Sequence, residues 1–431
     1  MATVWLEKCS PLEGWIELPY SKSLSNRQII LGAHTGRPFS IKGLSEAADT
    51  QHLIEALQKC GYTIEKEEEK FLFIPPHKWH EKVQLYLGEG GTTLRFILPW
   101  LARLPTRVQL DVGSSLRRRP ILPLLKCLQE AGANILLSSD SQVFPLCLQG
   151  SPQWQPSSFR IDSTLSSQFV SSLFLMAPSL LEGTCIEDLA KQPATPSYRE
   201  FTRNFVAAYG WHWQRTETGW YLSSGNSCPS PLHFAGERDW SAASFFFGWA
   251  SITEAHFEIP LQQGTLQPEK ELFTSDLLPY SLDLNAPIPR VKSSGEAPSL
   301  LDVSVENYPD AALVLAVIGI FASGPSRLRG IHTLPHKESN RLEALARELQ
   351  KVGAQLYWEE DVLYIFPCEH LPNQSILFDS YGDHRVAMAL SLIAGRSSYP
   401  VGICQAECVA KSFPTYWKVL ANVGVKCTFV P

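Results

Sequence analysis

The stretch Ser21-Lys22-Ser23-Leu24-Ser25-Asn26-Arg27 opens directly into the apolar run Gln28 to Ala33. Hydroxyls, a lysine and an arginine thus stand at the start of a predicted helix. The free backbone N–H groups there, with the positive end of the helix dipole, already favour negative charge. Ser23 and Ser25 add hydrogen bonds, and Lys22 and Arg27 add formal charge. Standing alone, such a stretch reads more simply as an N-cap cluster on a surface helix. Its recurrence decides the fold.

The same arrangement, a polar cluster followed by about ten apolar residues, returns five times. Gly90-Gly91-Thr92-Thr93-Leu94-Arg95 leads into Phe96 to Leu104, and Ser163 to Gln168 into Phe169 to Ala177. Asp239-Trp240-Ser241 leads into Ala242 to Ile252, Tyr308-Pro309-Asp310 into Ala311 to Ala322, and Tyr381 to Arg385 into Val386 to Ala394. The six copies are spaced by about seventy residues, an array-like period. Between them recurs a second piece: an amphipathic helix ending Leu-x-x-x-Gly or Val-x-x-x-Gly, then two strand-like runs. The glycines are Gly61, Gly132, Gly210, Gly353 and Gly424. Glycine there takes the left-handed conformation that closes a helix. Residues 259–300 fit no copy of this second piece, so the fourth repeat reads as missing or degenerate. The segment from Thr3 to Leu18 reads as two short strands around Pro11-Leu12-Glu13-Gly14. Six αβ repeats follow, and if their polar helix starts converge they make an electropositive cavity for an anionic small molecule.

Composition limits the alternatives. At 431 residues two domains are the natural expectation. A net charge of −6 argues against a general nucleic-acid surface, so any anion binding is local. The ten cysteines show no zinc spacing and no Cys-x-x-Cys pair, which predicts reduced thiols in a cytoplasmic protein. No basic start followed by an apolar run marks a signal peptide. The longest apolar run, Ala311 to Ala322, is too short to cross a bilayer.

Several clusters carry candidate chemistry. Gly88-Glu89-Gly90-Gly91-Thr92 follows a strand-like run and precedes a helix, the order of a phosphate cradle. Gly88-x-Gly90 with Asp111 also partly imitates a dinucleotide fingerprint, but Thr93 stands where the third glycine belongs. Arg117, Arg118 and Arg119 cannot share one helix face, so a single one is expected to point into a site. Asp310 at the mouth of an apolar helix is an N-cap or, within reach of a substrate hydroxyl, a general base. Lys337 and Arg341 lie four apart and Glu338 three from Arg341, which predicts one shared helical face. Asp383-His384-Arg385 and Lys411-Ser412-Phe413-Pro414 precede the last helices.

Taken in order, Ser21-Lys22-Ser23-x-Ser25-Asn26-Arg27, Gly91-Thr92-x-x-Arg95, Leu116 to Pro120, Ser166-Ser167-Gln168, Pro309-Asp310-Ala311-Ala312, Lys337-Glu338-x-x-Arg341, Asp383-His384-Arg385 and Lys411-x-Phe413-Pro414 resemble the EPSP synthase (3-phosphoshikimate 1-carboxyvinyltransferase) family. The resemblance runs from about residue 20 to 414. It implies an α/β, two-domain enolpyruvyl transferase fold of six βαβαββ-type repeats, three per domain, with the active site in the interdomain cleft. Domain I would be residues 1–20 plus 237–431, and domain II residues 21–236. The reaction implied is transfer of the enolpyruvyl group of phosphoenolpyruvate to the 5-hydroxyl of shikimate 3-phosphate, releasing phosphate.

By similarity, Lys22, Ser23, Arg27, Ser166, Ser167, Gln168, Tyr198, Asp310 and Lys337 would hold shikimate 3-phosphate. Lys22, Gly91, Arg119, Gln168, Arg341, Arg385 and Lys411 would hold phosphoenolpyruvate. Lys22, Asp310 and Glu338 would be catalytic: Asp310 the base for the hydroxyl, Glu338 the group exchanging a proton with carbon, Lys22 assisting. Seven cations at motif positions would face substrates carrying roughly −5 to −6 in total. No metal or organic cofactor, nucleic acid or membrane is implied, and the protein is expected to act as a monomer. Retention of Gly91 implies sensitivity to glyphosate.

Two positions depart from the family pattern. Glu89 stands where the family usually has Asn, and a carboxylate beside an anion seat repels substrate unless it turns away or pairs with a cation. On charge alone, Glu89→Asn is expected to lower the KM for phosphoenolpyruvate. Tyr20 replaces the usual Gly before Ser-Lys-Ser. Three other readings compete: the sister transferase acting on UDP-N-acetylglucosamine, disfavoured because Ser114 to Arg119 holds no Cys; a dinucleotide-dependent oxidoreductase; and a catalytically dead binding relative.

Overall fold

All six polar-to-apolar stretches form helices in the computed structural model, which describes residues 2–8, 11–137, 143–181, 183–223 and 231–430. They are Lys22–His34, Gly91–Leu101, Gln168–Phe174, Trp240–Ile252, Ala312–Gly319 and His384–Ser391. Three have side-chain caps. Ser21 accepts from the Leu24 N–H, Asp239 from Ala242 and Asp383 from Arg385. Each cap satisfies a donor the helix cannot, worth about 1 kcal/mol. Trp240–Ile252 and Ala312–Gly319 are buried on every side, as sequences apolar all round require.

Each helix belongs to a four-stranded sheet, and the six sheets share one strand order. In the second repeat, Lys82–Tyr86 runs parallel to Arg107–Asp111, which pairs antiparallel with Leu146–Gln149, itself paired with Asn134–Leu136. The chain therefore runs strand, helix, strand, helix, strand, strand. The predicted C′ glycines Gly61, Gly132, Gly210, Gly353 and Gly424 all have positive φ, from 84 to 116°.

Three sheets take a strand from far along the chain. Leu232–Ala235 supplies the first strand of the first repeat, parallel to Phe39–Lys42. Leu12–Trp15 supplies that of the fourth, parallel to Ala255–Glu258. Thr3–Lys8 closes the sixth, between Val401–Cys404 and Val425–Val430. Two expectations are corrected here. Thr3–Lys8 and Leu12–Trp15 are not partners around a turn; they enter different sheets, and Leu12, Glu13 and Gly14 lie in the second strand. The fourth repeat is complete, because residues 259–300 contain the short helix Glu269–Phe273 and the antiparallel pair Tyr280–Asp283 and Arg290–Ser293. Five helical residues give too little periodicity to be seen in a sequence window.

The chain divides into two compact units, Tyr20–Glu237 and Met1–Pro19 with Arg238–Pro431. Repeats one to three form the first unit and repeats four to six the second, each around its own apolar core. In the second unit the buried helices approach closely at Gly248. A Cβ there would lie 2.4 Å from Leu392 Cδ2 and 2.8 Å from Val314 Cγ1. Among the described residues eight cysteines are free, and no helix is long and apolar enough to cross a membrane.

Candidate active site

In the Tyr20–Glu237 unit, polar side chains tie the starts of three helices together. Lys22 Nζ lies 2.9 Å from Asp49 Oδ2, and both side chains are nearly buried. Asp49 opens the helix Ala48–Cys60 and lies against the glycine loop; a Cβ at position 90 would be 2.7 Å from its Cγ. Thr93 donates to the Asp49 carbonyl at 2.9 Å. The buried Arg27 guanidinium donates to Ser23 Oγ at 2.6 Å and to Thr202 Oγ1 at 2.8 Å. It lies between the rings of Phe96 and Phe201, 5.1 and 4.7 Å from their centroids. Two aromatic faces stabilise a desolvated cation and fix its orientation. Thr202 in turn donates to the Tyr198 carbonyl.

Gln168 is held at both ends of its amide. Its Nε2 donates to Thr92 Oγ1 at 3.2 Å, and its Oε1 accepts from Arg95 Nη1 at 2.7 Å. Ser166 Oγ accepts from the Gln168 N–H, while Ser167 precedes that helix without capping it. Arg95 is buried against the Phe169 ring and also donates to the Pro120 carbonyl. Burial, reinforced by the charge of Arg119, pushes the Arg95 guanidinium well below its usual range. Of the three consecutive arginines, Arg117 and Arg118 are exposed, and Arg117 pairs with Asp111. Arg119 instead lies over Gly91: a Cβ on Gly91 would meet its Nη2 at 2.7 Å.

Glu89 does not face the anion loop as a bare charge. Its carboxylate accepts from the backbone N–H of Leu116 at 2.8 Å and of Ser115 at 3.3 Å. Its carbonyl accepts from Arg119 Nη1 at 3.4 Å. The side chain has turned away and holds the turn that carries Arg119.

The other unit gathers a second set. Asp310 is not a cap; the helix Ala312–Gly319 begins without a side-chain acceptor. Its carboxylate joins Arg341 at 2.8 Å and Arg385 at 3.1 Å. Burial alone would raise the Asp310 carboxyl, but Arg385, Arg341 and Lys337 together outweigh it and hold it far below the carboxylate range. Arg341 also pairs with the fully buried Asp383 at 2.9 Å. Burial works against that guanidinium's charge, yet the two carboxylates raise it above its ordinary value. Glu338 Oε2 lies 3.0 Å from His384 Nδ1 and 3.4 Å from Lys411 Nζ, and Lys411 donates to the Gly382 carbonyl at 2.9 Å. The common helical face expected for Lys337, Glu338 and Arg341 does not exist. The helix is Arg341–Gln350, capped by Asn340, and Lys337 is extended ahead of it. Glu338 reaches the cluster from that lead-in.

Sequence reasoning left Asp49, Arg95, Asp383 and His384 out of the site. The last three sit inside quoted motifs, so their positions were signalled but not their partners. Asp49 had only its place in the first turn of a helix.

The six repeated sheets in two units, with charged side chains gathered at their helix starts, define an enolpyruvyl transferase fold. The solved EPSP synthase of Acinetobacter baumannii superposes with a TM-score of 0.76 at 21% identity, covering 100% of both chains. The enolpyruvyl transferase NikO of Streptomyces tendae gives 0.76 at 16% identity, covering 100% of this chain and 99% of that one. More specifically, the EPSP synthase (3-phosphoshikimate 1-carboxyvinyltransferase) family matches residues 6–420, and the chain belongs to that family. The 3-phosphoshikimate 1-carboxyvinyltransferase of Vibrio campbellii is 30% identical over 427 residues, 97% of this chain and 99% of that protein. That of Escherichia coli O6:H1 is 30% identical over 439 residues, 98% and 99%. The oxidoreductase reading falls with this assignment, and Asp111, the acidic residue of that partial fingerprint, is engaged by Arg117.

Proposed function

We propose that the protein transfers the enolpyruvyl group of phosphoenolpyruvate to the 5-hydroxyl of shikimate 3-phosphate. One observation supports the chemistry above the rest: Asp310 bracketed by Arg341 and Arg385, beside a carboxylate, imidazole and ammonium group formed by Glu338, His384 and Lys411. It supplies two separate carboxylates for proton transfer within a set of cations that match a substrate carrying both a phosphate and a carboxylate.

The 5-hydroxyl oxygen adds to C2 of phosphoenolpyruvate while Asp310 takes its proton and Glu338, which must enter this step in its protonated form, delivers its own proton to C3. The resulting tetrahedral intermediate loses a methyl proton back to Glu338. Phosphate departs with the proton Asp310 accepted. By family resemblance, Lys22, Gly91, Arg119, Gln168, Arg341, Arg385 and Lys411 would take the phosphoenolpyruvate anion. Ser23, Arg27, Ser166, Ser167 and Tyr198, with Lys22, Gln168, Asp310 and Lys337, would take shikimate 3-phosphate. Arg27 contributes by holding Ser23, since its own guanidinium is spanned by Thr202 and two rings. Glyphosate is expected to compete with phosphoenolpyruvate, and the protein to act as a cytoplasmic monomer.

The test is phosphate release with each substrate omitted in turn. Release that needs both substrates and is lost in Lys22→Met supports the reading. Binding of one substrate with no release would instead mark a catalytically dead relative.

A further inference from the structure

The helix Arg341–Gln350 grips one turn at two places. At its start Arg341 holds Asp383. Seven residues on, two helical turns along the same face, Glu348 reaches the other end. Its Oε1 accepts from the Tyr381 hydroxyl at 2.8 Å, and its Oε2 from the Asp379 backbone N–H at 2.9 Å and Lys351 Nζ at 2.6 Å. The Glu348 side chain is 3% exposed. A carboxylate so buried persists because its oxygens are satisfied.

The turn it holds is strained. Tyr381 and Gly382 follow one another at φ 53 and 64°. For a tyrosine this left-handed conformation costs roughly 1–2 kcal/mol and must be imposed by its surroundings. Inside the turn, Asp379 accepts from the Tyr381 N–H, and Ser380 Oγ from Gly382. Gly382 then offers its carbonyl to Lys411, and Asp383, His384 and Arg385 follow directly.

We propose that Glu348, acting through the Tyr381 hydroxyl, is a positioning residue that fixes the 379–383 turn and thereby places Lys411, His384 and Arg385. Neither Glu348 nor Tyr381 touches the reacting groups; they act through the backbone. Burial and the Glu348 hydrogen bond push the Tyr381 phenol up to about 12, so its hydroxyl stays a donor. The proposal rests on the transferase reading, because it concerns that reading's phosphoenolpyruvate groups.

The experiment compares Tyr381→Phe and Glu348→Gln with wild type in the full chain. Steady-state kinetics give KM for each substrate, and calorimetry gives phosphoenolpyruvate binding in the presence of shikimate 3-phosphate. Tyr381→Phe removes one oxygen and leaves the core intact. We expect both variants to raise the KM and Kd for phosphoenolpyruvate about tenfold and that for shikimate 3-phosphate less than about threefold. A merely structural role would lower the melting temperature and active fraction without that split. Unchanged phosphoenolpyruvate binding in Tyr381→Phe, with normal wild-type turnover, overturns the positioning claim alone. Wild type that releases no phosphate and binds no phosphoenolpyruvate overturns the transferase reading, and this inference with it.

Discussion

Asp310 occupies the seat that phosphoenolpyruvate is proposed to fill. Its carboxylate joins Arg341 at 2.8 Å and Arg385 at 3.1 Å, and its side chain is 21% exposed. An incoming anion must take at least one guanidinium from it. A hydrogen bond to a charged group contributes about 1.5–3 kcal/mol. Asparagine keeps the shape and a neutral acceptor, so part of that is retained. With about 1.4 kcal/mol to a factor of ten, Asp310→Asn is expected to bind phosphoenolpyruvate about tenfold more tightly. Turnover should nonetheless fall by about 10²–10⁴, the worth of a general base. Titration calorimetry with phosphoenolpyruvate, and separately with inorganic phosphate, reads the first effect; phosphate release reads the second. Equal or weaker binding by the variant would refute the idea that Asp310 competes for the anion seat. The same exchange would let a carboxylate held so far below its usual range act as the proposed base: an anion that drew off Arg341 and Arg385 would remove two of the charges that depress it.

Four further outcomes follow from the geometry. Because the Asp310 carboxyl is depressed, its ion pairs contribute stability above the ordinary carboxyl value of about 3.9, lost only as pH falls through the lowered one. The melting-temperature difference between wild type and Asp310→Asn should therefore stay constant from about pH 5 to 8 and shrink only in stronger acid; a difference that titrates near neutrality would contradict this. Glu89→Asn is expected to raise the KM for phosphoenolpyruvate severalfold, reversing the expectation from charge alone, because a shorter side chain cannot hold both the Ser115 and Leu116 N–H groups; a lowered KM would restore the repulsion argument. Gly91→Ala must displace Arg119, whose Nη2 would lie 2.7 Å from the new Cβ, and should weaken phosphoenolpyruvate binding while leaving the melting temperature unchanged. Gly248→Ala overpacks three buried helices and should cost about 1–3 kcal/mol in denaturant unfolding, with substrate affinities unaltered.

How much of this was legible depended on whether the cause was local. The six helix starts and the C′ glycines could be read, because capping and left-handed φ are properties of a few adjacent residues. The strands Leu12–Trp15 and Leu232–Ala235 could not be assigned to sheets, since each supplies the first strand of a repeat whose other elements lie far from it in sequence. Nothing within a four-residue strand names its partner. The lead-in at Lys337 and Glu338 was misread as helix because charges four apart look alike on either backbone, and only the Asn340 cap shows where the helix starts.

The charges show the same limit most sharply. The sequence counts seven cations against two anionic substrates, and that count suggests a standing excess of positive charge. The folded units pair much of it: Lys22 with Asp49, Arg341 with Asp383 and Asp310, Arg385 with Asp310, Lys411 with Glu338. The partners lie 27 to 75 residues away in sequence, beyond the reach of any local pattern. A cavity of unpaired guanidinium and ammonium groups would be costly to fold and would bind anions without discrimination. Carboxylates that occupy the cations until substrate arrives relieve that cost, and they demand that a ligand offer enough negative charge, correctly spaced, to displace them. Asp310 is a carboxylate that two guanidiniums share and that the proposed chemistry also needs as a base. Exchange at Asp310 would therefore tie anion recognition to base activation in a single step, which a count of charges along the chain could not reveal.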